Sequence, residues 1–184
     1  MGSRSAYQPH KLIVPVLFGA GLTLEEVERL VAETFGRVDS RSDVMDFTFT
    51  RYYDKEMGRP IARVLYSIDQ LVDPGELAEL KIRSNGVEAG CAAPDGRRAI
   101  NLDPGLLSLT RLILATTKPG AHRIPIGMGI HAEVTLLYQR GAFQPLQWTY
   151  PDFQSQVYHQ WLQSVRRTYH ESLKRLYPQV NWRL

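Results

Sequence analysis

Residues 11–35 read KLIVPVLFGAGLTLEEVERLVAETF, and the change of periodicity inside this stretch decides the fold. Lys11–Phe18 is a near-continuous apolar run, the pattern of a strand covered on both faces. Pro15 cannot donate a ladder hydrogen bond, so the strand is expected to bend or to lie partly at an edge there. Thr23-Leu24-Glu25-Glu26 then forms a capping box, in which the Thr hydroxyl and the Glu carboxylate satisfy each other's orphan amides. Leu24, Val27, Leu30, Val31 and Phe35 recur at helical spacing until Gly36 offers a stop. A buried strand feeding an amphipathic helix sets the frame for the rest of the chain.

Downstream, Arg41–Asp54 alternates, with Met45, Phe47, Phe49 and Arg51 on one side and Asp46, Thr48, Thr50 and Tyr52 on the other. Ile61–Ile68 alternates too, so the two runs read as an antiparallel hairpin with a charged tip. Asp73-Pro74-Gly75-Glu76 opens a second helix, with Asp as N-cap and Pro at the first helical position. Leu77 and Leu80 begin its apolar face, while Asn85-Gly86 and Gly90 weaken its later turns. Cys91–Arg97 reads as a loop and Arg98–Leu102 as a short strand. Asp103-Pro104-Gly105 repeats the helix-opening triplet, and Leu106, Leu109 and Ile113 fit a helix, whereas Leu112–Thr117 suits a strand equally well.

His131–Tyr138 and Phe143–Trp148 form a second hairpin around Gln139–Gly141. Ser155–Leu176 is a long amphipathic helix, expected to turn Val157, Trp161, Leu162, Val165, Tyr169, Leu173 and Leu176 inward. Arg166, Arg167, His170, Lys174 and Arg175 are expected on its other faces. The order predicts an α+β fold: a ferredoxin-like βαββαβ core, an added β-hairpin and a long C-terminal amphipathic helix. The expected organisation is a flexible N-terminus over residues 1–10, a single domain over 11–177 and a tail over 178–184.

Composition narrows the function more by exclusion than by assignment. With 43% hydrophobic and 22% charged residues, the 184-residue chain has the make-up of one globular domain. A net charge of +3 is well short of a dedicated nucleic-acid-binding domain. Cys91 is the single cysteine, which fits a cytoplasmic protein and rules out an internal disulfide framework. No apolar run is long enough to span a bilayer, and Ala6 stands where a myristoylation signal needs Ser or Thr. A P-loop, a G-x-S-x-G elbow and an H-E-x-x-H helix are all missing from the sequence. Gly127–Ala132 matches G-x-G-x-x-A, but a strand-like run follows where the dinucleotide fold needs a helix, so these glycines are read as backbone packing.

The chemistry concentrates between Arg98 and Asp152. Lys118, His122 and Arg123 bracket a Pro-Gly turn and together can neutralise a phosphate or carboxylate. Glu133 begins an apolar strand and needs a basic partner such as Arg98 or Arg123 if it points inward. Asp103 and Asp152 sit beside prolines, where capping is the ordinary job. Tyr52, Tyr53, Trp148 and Tyr150 are the aromatic candidates for covering a ligand. The spacing of Asp103, His122, His131 and Glu133 matches no standard metal site, and no cofactor is indicated.

The segments DFTFTRYYDKEMG, INLDPGLLSLTRLILATTK, HRIPIGMGIHAEVTLLYQRGAFQPLQWTYPD and SVRRTYHESL together resemble the bacterial family known as domain of unknown function 4416. The resemblance runs from about Lys11 to about Leu176. It brings forward Tyr52, Tyr53, Glu56, Asn101, Asp103, Lys118, His122, Arg123, Glu133, Trp148, Tyr150 and Asp152 as motif positions, but implies no reaction. The functional expectation is binding of a small anionic ligand, phosphorylated or nucleotide-like. Lys118, Arg123, Arg98, Asn101, Tyr52, Tyr53, Trp148 and Tyr150 would hold it, and Glu133, His122 and Asp103 would perform any acid–base step. The alternative is a non-catalytic RNA-binding or protein-interaction module built on the arginines and the basic C-terminal helix.

Overall fold

The computed structural model describes residues 6–93, 96–180 and Trp182. Part of the expected N-terminal segment, part of the 91–97 loop and part of the C-terminal tail therefore lie outside the described residues.

The apolar run becomes β1 (His10–Gly19), every residue of which is buried. It is flanked on both sides, by β4 (Ile61–Val72) and, on the other, by β5 (Ile100–Leu102) and β6 (Gly105–Leu107), so it is not an edge strand. Pro15 is accommodated differently from the expectation. Residues 11–13 pair with β6 and residues 16–18 pair with β5, so Pro15 falls in the gap between the two partners. Its carbonyl still accepts from the Asp103 amide at 3.0 Å on that side, and its absent N–H points where no acceptor is required.

After β1 comes α1 (Leu24–Phe35), with the capping box formed by Thr23 and Glu26 as the sequence predicts and Gly36 at φ 103° closing it. The alternating run 41–54 is not one strand. β2 (Val38–Arg41) and β3 (Met45–Asp46) both pair with β4, after which the chain leaves the sheet at Phe47 and makes a short helix, α2 (Asp54–Met57). Phe47 is buried and meets Phe49 and Tyr53 at 6.0 Å, so this aromatic packing outweighs the extended alternation.

Helix two starts at the Asp73 cap with a 3-10 turn and continues as α3 (Leu77–Gly90), straight through Asn85-Gly86. The ambiguous segment 106–117 is strand: β6 turns back into β7 (Arg111–Thr116). Gly105 decides it, because a Cβ there would lie 2.5 Å from the Ile113 carbonyl oxygen, closer than a side chain tolerates. The G-x-G motif is a hairpin turn. Met128 and Gly129 take φ 56° and 73° between β8 (Ile124–Gly127) and β9 (Ile130–Gln139), as two-residue turns demand. Arg140 and Gly141 do the same between β9 and β10 (Ala142–Pro145).

These strands form one ten-stranded antiparallel sheet in the order β10-β9-β7-β6-β1-β4-β2, with β3 beside β4, β5 beside β1 and β8 beside β9. The fold is α+β. One face carries α1 and α3, whose Val27, Val31 and Leu80 pack on Leu12, Val14 and Val16. The other carries α4 (Gln156–Leu176), whose Tyr158, Leu162 and Val165 pack on Ile13, Leu65, Leu112 and Leu136. Each such side chain contributes roughly 1.5–3 kcal/mol on burial, so the two apolar faces fix the layer order. The buried stripe of α4 is rotated from the expectation. Val157 and Leu176 are half exposed, whereas Arg166 and His170 are buried. Arg166 donates to the Leu109 carbonyl at 2.7 Å and lies 3.6 Å over the Tyr138 ring, which makes a charged residue suitable for an inward position.

Candidate functional site

A cavity of about 570 Å3 opens at the end of the sheet where β5, β7 and β9 meet the loop after β3. Tyr52, Tyr53, Arg98, Asn101, Asp103, Lys118, Glu133 and Tyr150 line it, so most of the residues picked from the sequence converge. His122, Arg123 and Trp148 do not line it. They stand behind Glu133 and hold it.

Glu133 is 2% exposed on β9, and a carboxylate buried that deeply needs charged partners. Its Oε2 accepts from Arg123 Nε at 2.9 Å and lies 3.1 Å from His122 Nε2. Arg123 also donates to the Lys118 carbonyl at 3.0 Å and to the Tyr150 hydroxyl at 2.6 Å, bracing the whole 118–123 turn. His122 stacks on Trp148 with ring centres 5.1 Å apart, and Trp148 donates to the Val134 carbonyl at 2.9 Å. Lys118 reaches across the opening to the Tyr52 hydroxyl at 2.7 Å, with its ammonium 4.1 Å from the ring centre. This contact joins the 47–53 loop to the turn after β7.

The cavity is also lined by Lys81 and Glu88, which the sequence reading passed over, beside Asp103, Asn101 and Arg98, which it picked. Lys81 of α3 is 4% exposed and donates to the Leu102 carbonyl at 2.6 Å, to Asp103 at 3.3 Å and to Glu88 at 3.4 Å. Glu88 also accepts from the Leu102 amide at 2.8 Å, and burial pushes its carboxyl above the ordinary range. Asn101 bridges Asp103 at 2.6 Å and Arg98 at 2.8 Å. Asp103 therefore caps nothing, because a strand follows it and Lys81 claims its carboxylate. Asp152 is likewise no cap. It binds Arg63 of β4 at 2.8 Å, and burial raises its pKa as well.

The unmet signals were periodic. Residues 77, 81, 84 and 88 follow the 4-3-4 spacing of one helix face, and all are buried although three are polar. Arg63 shares the parity of Ile61 and Leu65 in a strand buried on both faces. A charge on a core stripe is an exception to its period, and that exception was the signal available for both.

Arg63 is the most informative of them. It is 4% exposed, lies over Phe47 and Phe153 with its guanidinium carbon 5.2 and 5.8 Å from the ring centres, and lines the cavity. One nitrogen binds Asp152, while Nε and Nη1 make no hydrogen bond of ordinary geometry, with the Tyr158 hydroxyl beside the guanidinium. Glu133 Oε1 is also buried without a hydrogen bond. In formal terms the wall carries five carboxylates, from Glu56, Glu88, Asp103, Glu133 and Asp152, against four cations, from Arg63, Lys81, Arg98 and Lys118. Among the described residues, no cluster of three or more His, Cys, Asp or Glu side chains is placed to hold a metal ion.

Fold and site together define an antiparallel α+β protein with a charge-lined cavity at one end of its sheet. The chain belongs to the family described as Domain of unknown function (DUF4416), whose family model matches residues 8–169. No match was found among curated proteins or among solved structures.

Proposed function

We propose that this protein binds a small ligand through an anionic group, a carboxylate or the phosphate of a nucleotide-like molecule, inside the cavity walled by Arg63, Lys118 and Glu133. The observation that carries the reading is Arg63, a residue of the cavity wall whose Nε and Nη1 lie buried without a hydrogen bond of ordinary geometry. A buried guanidinium with two such donors loses on the order of 1–3 kcal/mol per unmet group, and an anion's oxygens would recover it. Lys118 supplies a second charge at the opening, bound to a phenol rather than to a carboxylate. Tyr52, Tyr53 and Phe47 give the ligand's body an apolar surface of aromatic rings. A chemical step, where one follows binding, falls to Glu133 with His122 behind it and to Asp103.

The topology fits the finer fold reading. β4 lies between β1 and β2, and β1 lies between β4 and β5, which is the interleaving of two split βαβ units expected of a ferredoxin-like core. On that reading β7–β10 and α4 extend the core, and the extension supplies Lys118 and Glu133. The single, half-buried Cys91 suits a reducing cytoplasm, and among the described residues no helix is long and apolar enough to cross a membrane. The RNA-binding or protein-interaction reading draws less support, because α4 turns Arg166 and His170 inward and leaves a thinner basic face.

The test is a thermal-shift series with phosphorylated metabolites, nucleotides and carboxylates. At about a hundredfold excess over Kd, a ligand raises the melting temperature by about 5–10 °C for a chain of this size. Arg63→Lys and Lys118→Ala are expected to reduce that shift. The reading fails if no anion shifts wild type, or if both variants respond as wild type does.

A further inference from the structure

The cavity has two open valences of opposite character, and they say more about the ligand than its anionic end alone. Arg63 Nε–H and Nη1–H are buried without a hydrogen bond of ordinary geometry, with the Tyr158 hydroxyl beside the guanidinium, and Glu133 Oε1 is buried without a donor. Both side chains line the same cavity and are more than nine-tenths buried. The remaining charges of the wall are spoken for: Lys81 by three oxygens, Arg98 by Asn101, and Asp152 by Arg63.

The sign of the wall argues in the same direction. Five carboxylates against four cations leave a formal charge of −1, which Arg123 behind Glu133 brings to zero. A polyanion such as a nucleoside triphosphate would bring three or more negative charges to a wall with no surplus of positive ones. Electrostatic complementarity therefore favours a ligand with little net charge. A cavity of about 570 Å3 also exceeds what a bare anion fills, and the rings of Phe47, Phe49, Tyr52 and Tyr53 offer apolar contact for the rest of the molecule.

Resting on the reading above, we infer that the ligand is a zwitterion. A carboxylate or phosphate meets Arg63, a protonated amine meets Glu133 Oε1, and an apolar or aromatic body joins them. The chemical class is that of amino acids, short peptides and aminoalkyl phosphates. Glu133 is the specificity determinant, and Arg123 with His122 occupies its other oxygen so that Oε1 alone faces the amine.

Matched probes differing only in the amine test this in the full chain. 3-Phenylpropionate is compared with phenylalanine, and propyl phosphate with 3-aminopropyl phosphate, by thermal shift and calorimetric titration of wild type. A hydrogen bond to a charged group is worth enough that the aminated member of the preferred pair should bind roughly tenfold or more tightly. Equal binding within both pairs, or tighter binding of the parents, overturns the zwitterion and leaves the anionic reading standing. No binding of any of the four overturns the zwitterion as well, and the series of metabolites, nucleotides and carboxylates above then decides the anionic reading by itself. Glu133→Gln should erase the advantage of the amine, read as the ratio of the two members' affinities within that variant, and an advantage that survives there removes Glu133 from the role. Because the wild-type comparison decides the main point, an unstable variant does not shield it.

Discussion

Two sets of buried charges line the cavity, and they differ in completeness. On the α3 side, Lys81, Glu88, Asp103, Asn101 and Arg98 form a closed network in which no buried side-chain nitrogen or oxygen lacks a partner. On the side of β4 and β9, Arg63 and Glu133 are each half satisfied. Burying a charge is costly either way, so a fold that closes one network and leaves its neighbour open is using them differently. The closed network fastens α3 to β5. The open pair is what the proposed ligand would complete.

The largest effect belongs to the closed network. Lys81→Met strands Glu88 and Asp103 together and should cost about 3–5 kcal/mol in urea unfolding, with or without ligand. Arg63→Met should cost less, about 2–3 kcal/mol, because it strands one carboxylate, Asp152, rather than two and because two of its nitrogens have no ordinary hydrogen bond to lose. Equal losses in the two variants would break the distinction between the networks. The smallest effect is a pH slope that belongs to both sides. Glu88 and Asp152 have folded pKa values raised by burial, so between the unfolded and folded values the native state holds the extra protons. Stability therefore falls as pH rises through the folded pKa values, from the ordinary 4.5 of Glu and 3.8 of Asp upward. Glu88→Gln should flatten the share of the slope that comes from the closed network, read as urea midpoints from about pH 4 to about pH 8.

Much of the scaffold was legible because local and global demands agree in it. The apolar run of β1, the Thr23–Glu26 capping box, the Asp73 cap and the β9–β10 hairpin are each specified by neighbours in sequence. Segment 106–117 was not, since its apolar residues satisfy both periods and the deciding contact, Gly105 against Ile113, belongs to the tertiary structure. The alternation of 41–54 misled for a related reason. It was real, but Phe47 found ring partners away from the sheet. At the site, Lys118, Glu133 and Asp103 were found by residue type. Arg63, Lys81 and Glu88 were missed because a single charge inside an apolar period belongs to no motif, and only the packing shows that it is buried.

The interruption opposite Pro15 has a consequence for where the chain tolerates change. β5 and β6 together occupy the length of one strand, so the chain turns a corner at Asp103-Pro104 without leaving the sheet. Asn101 and Asp103 are thereby delivered to the cavity by its most deeply buried neighbour, and an insertion there would slip β6 and turn Leu106 out of the core. The loop 47–53 with α2, by contrast, hangs outside the sheet and carries the aromatic rim. A substitution in that rim should leave the sheet's register intact, whereas an insertion at the floor of the cavity should not.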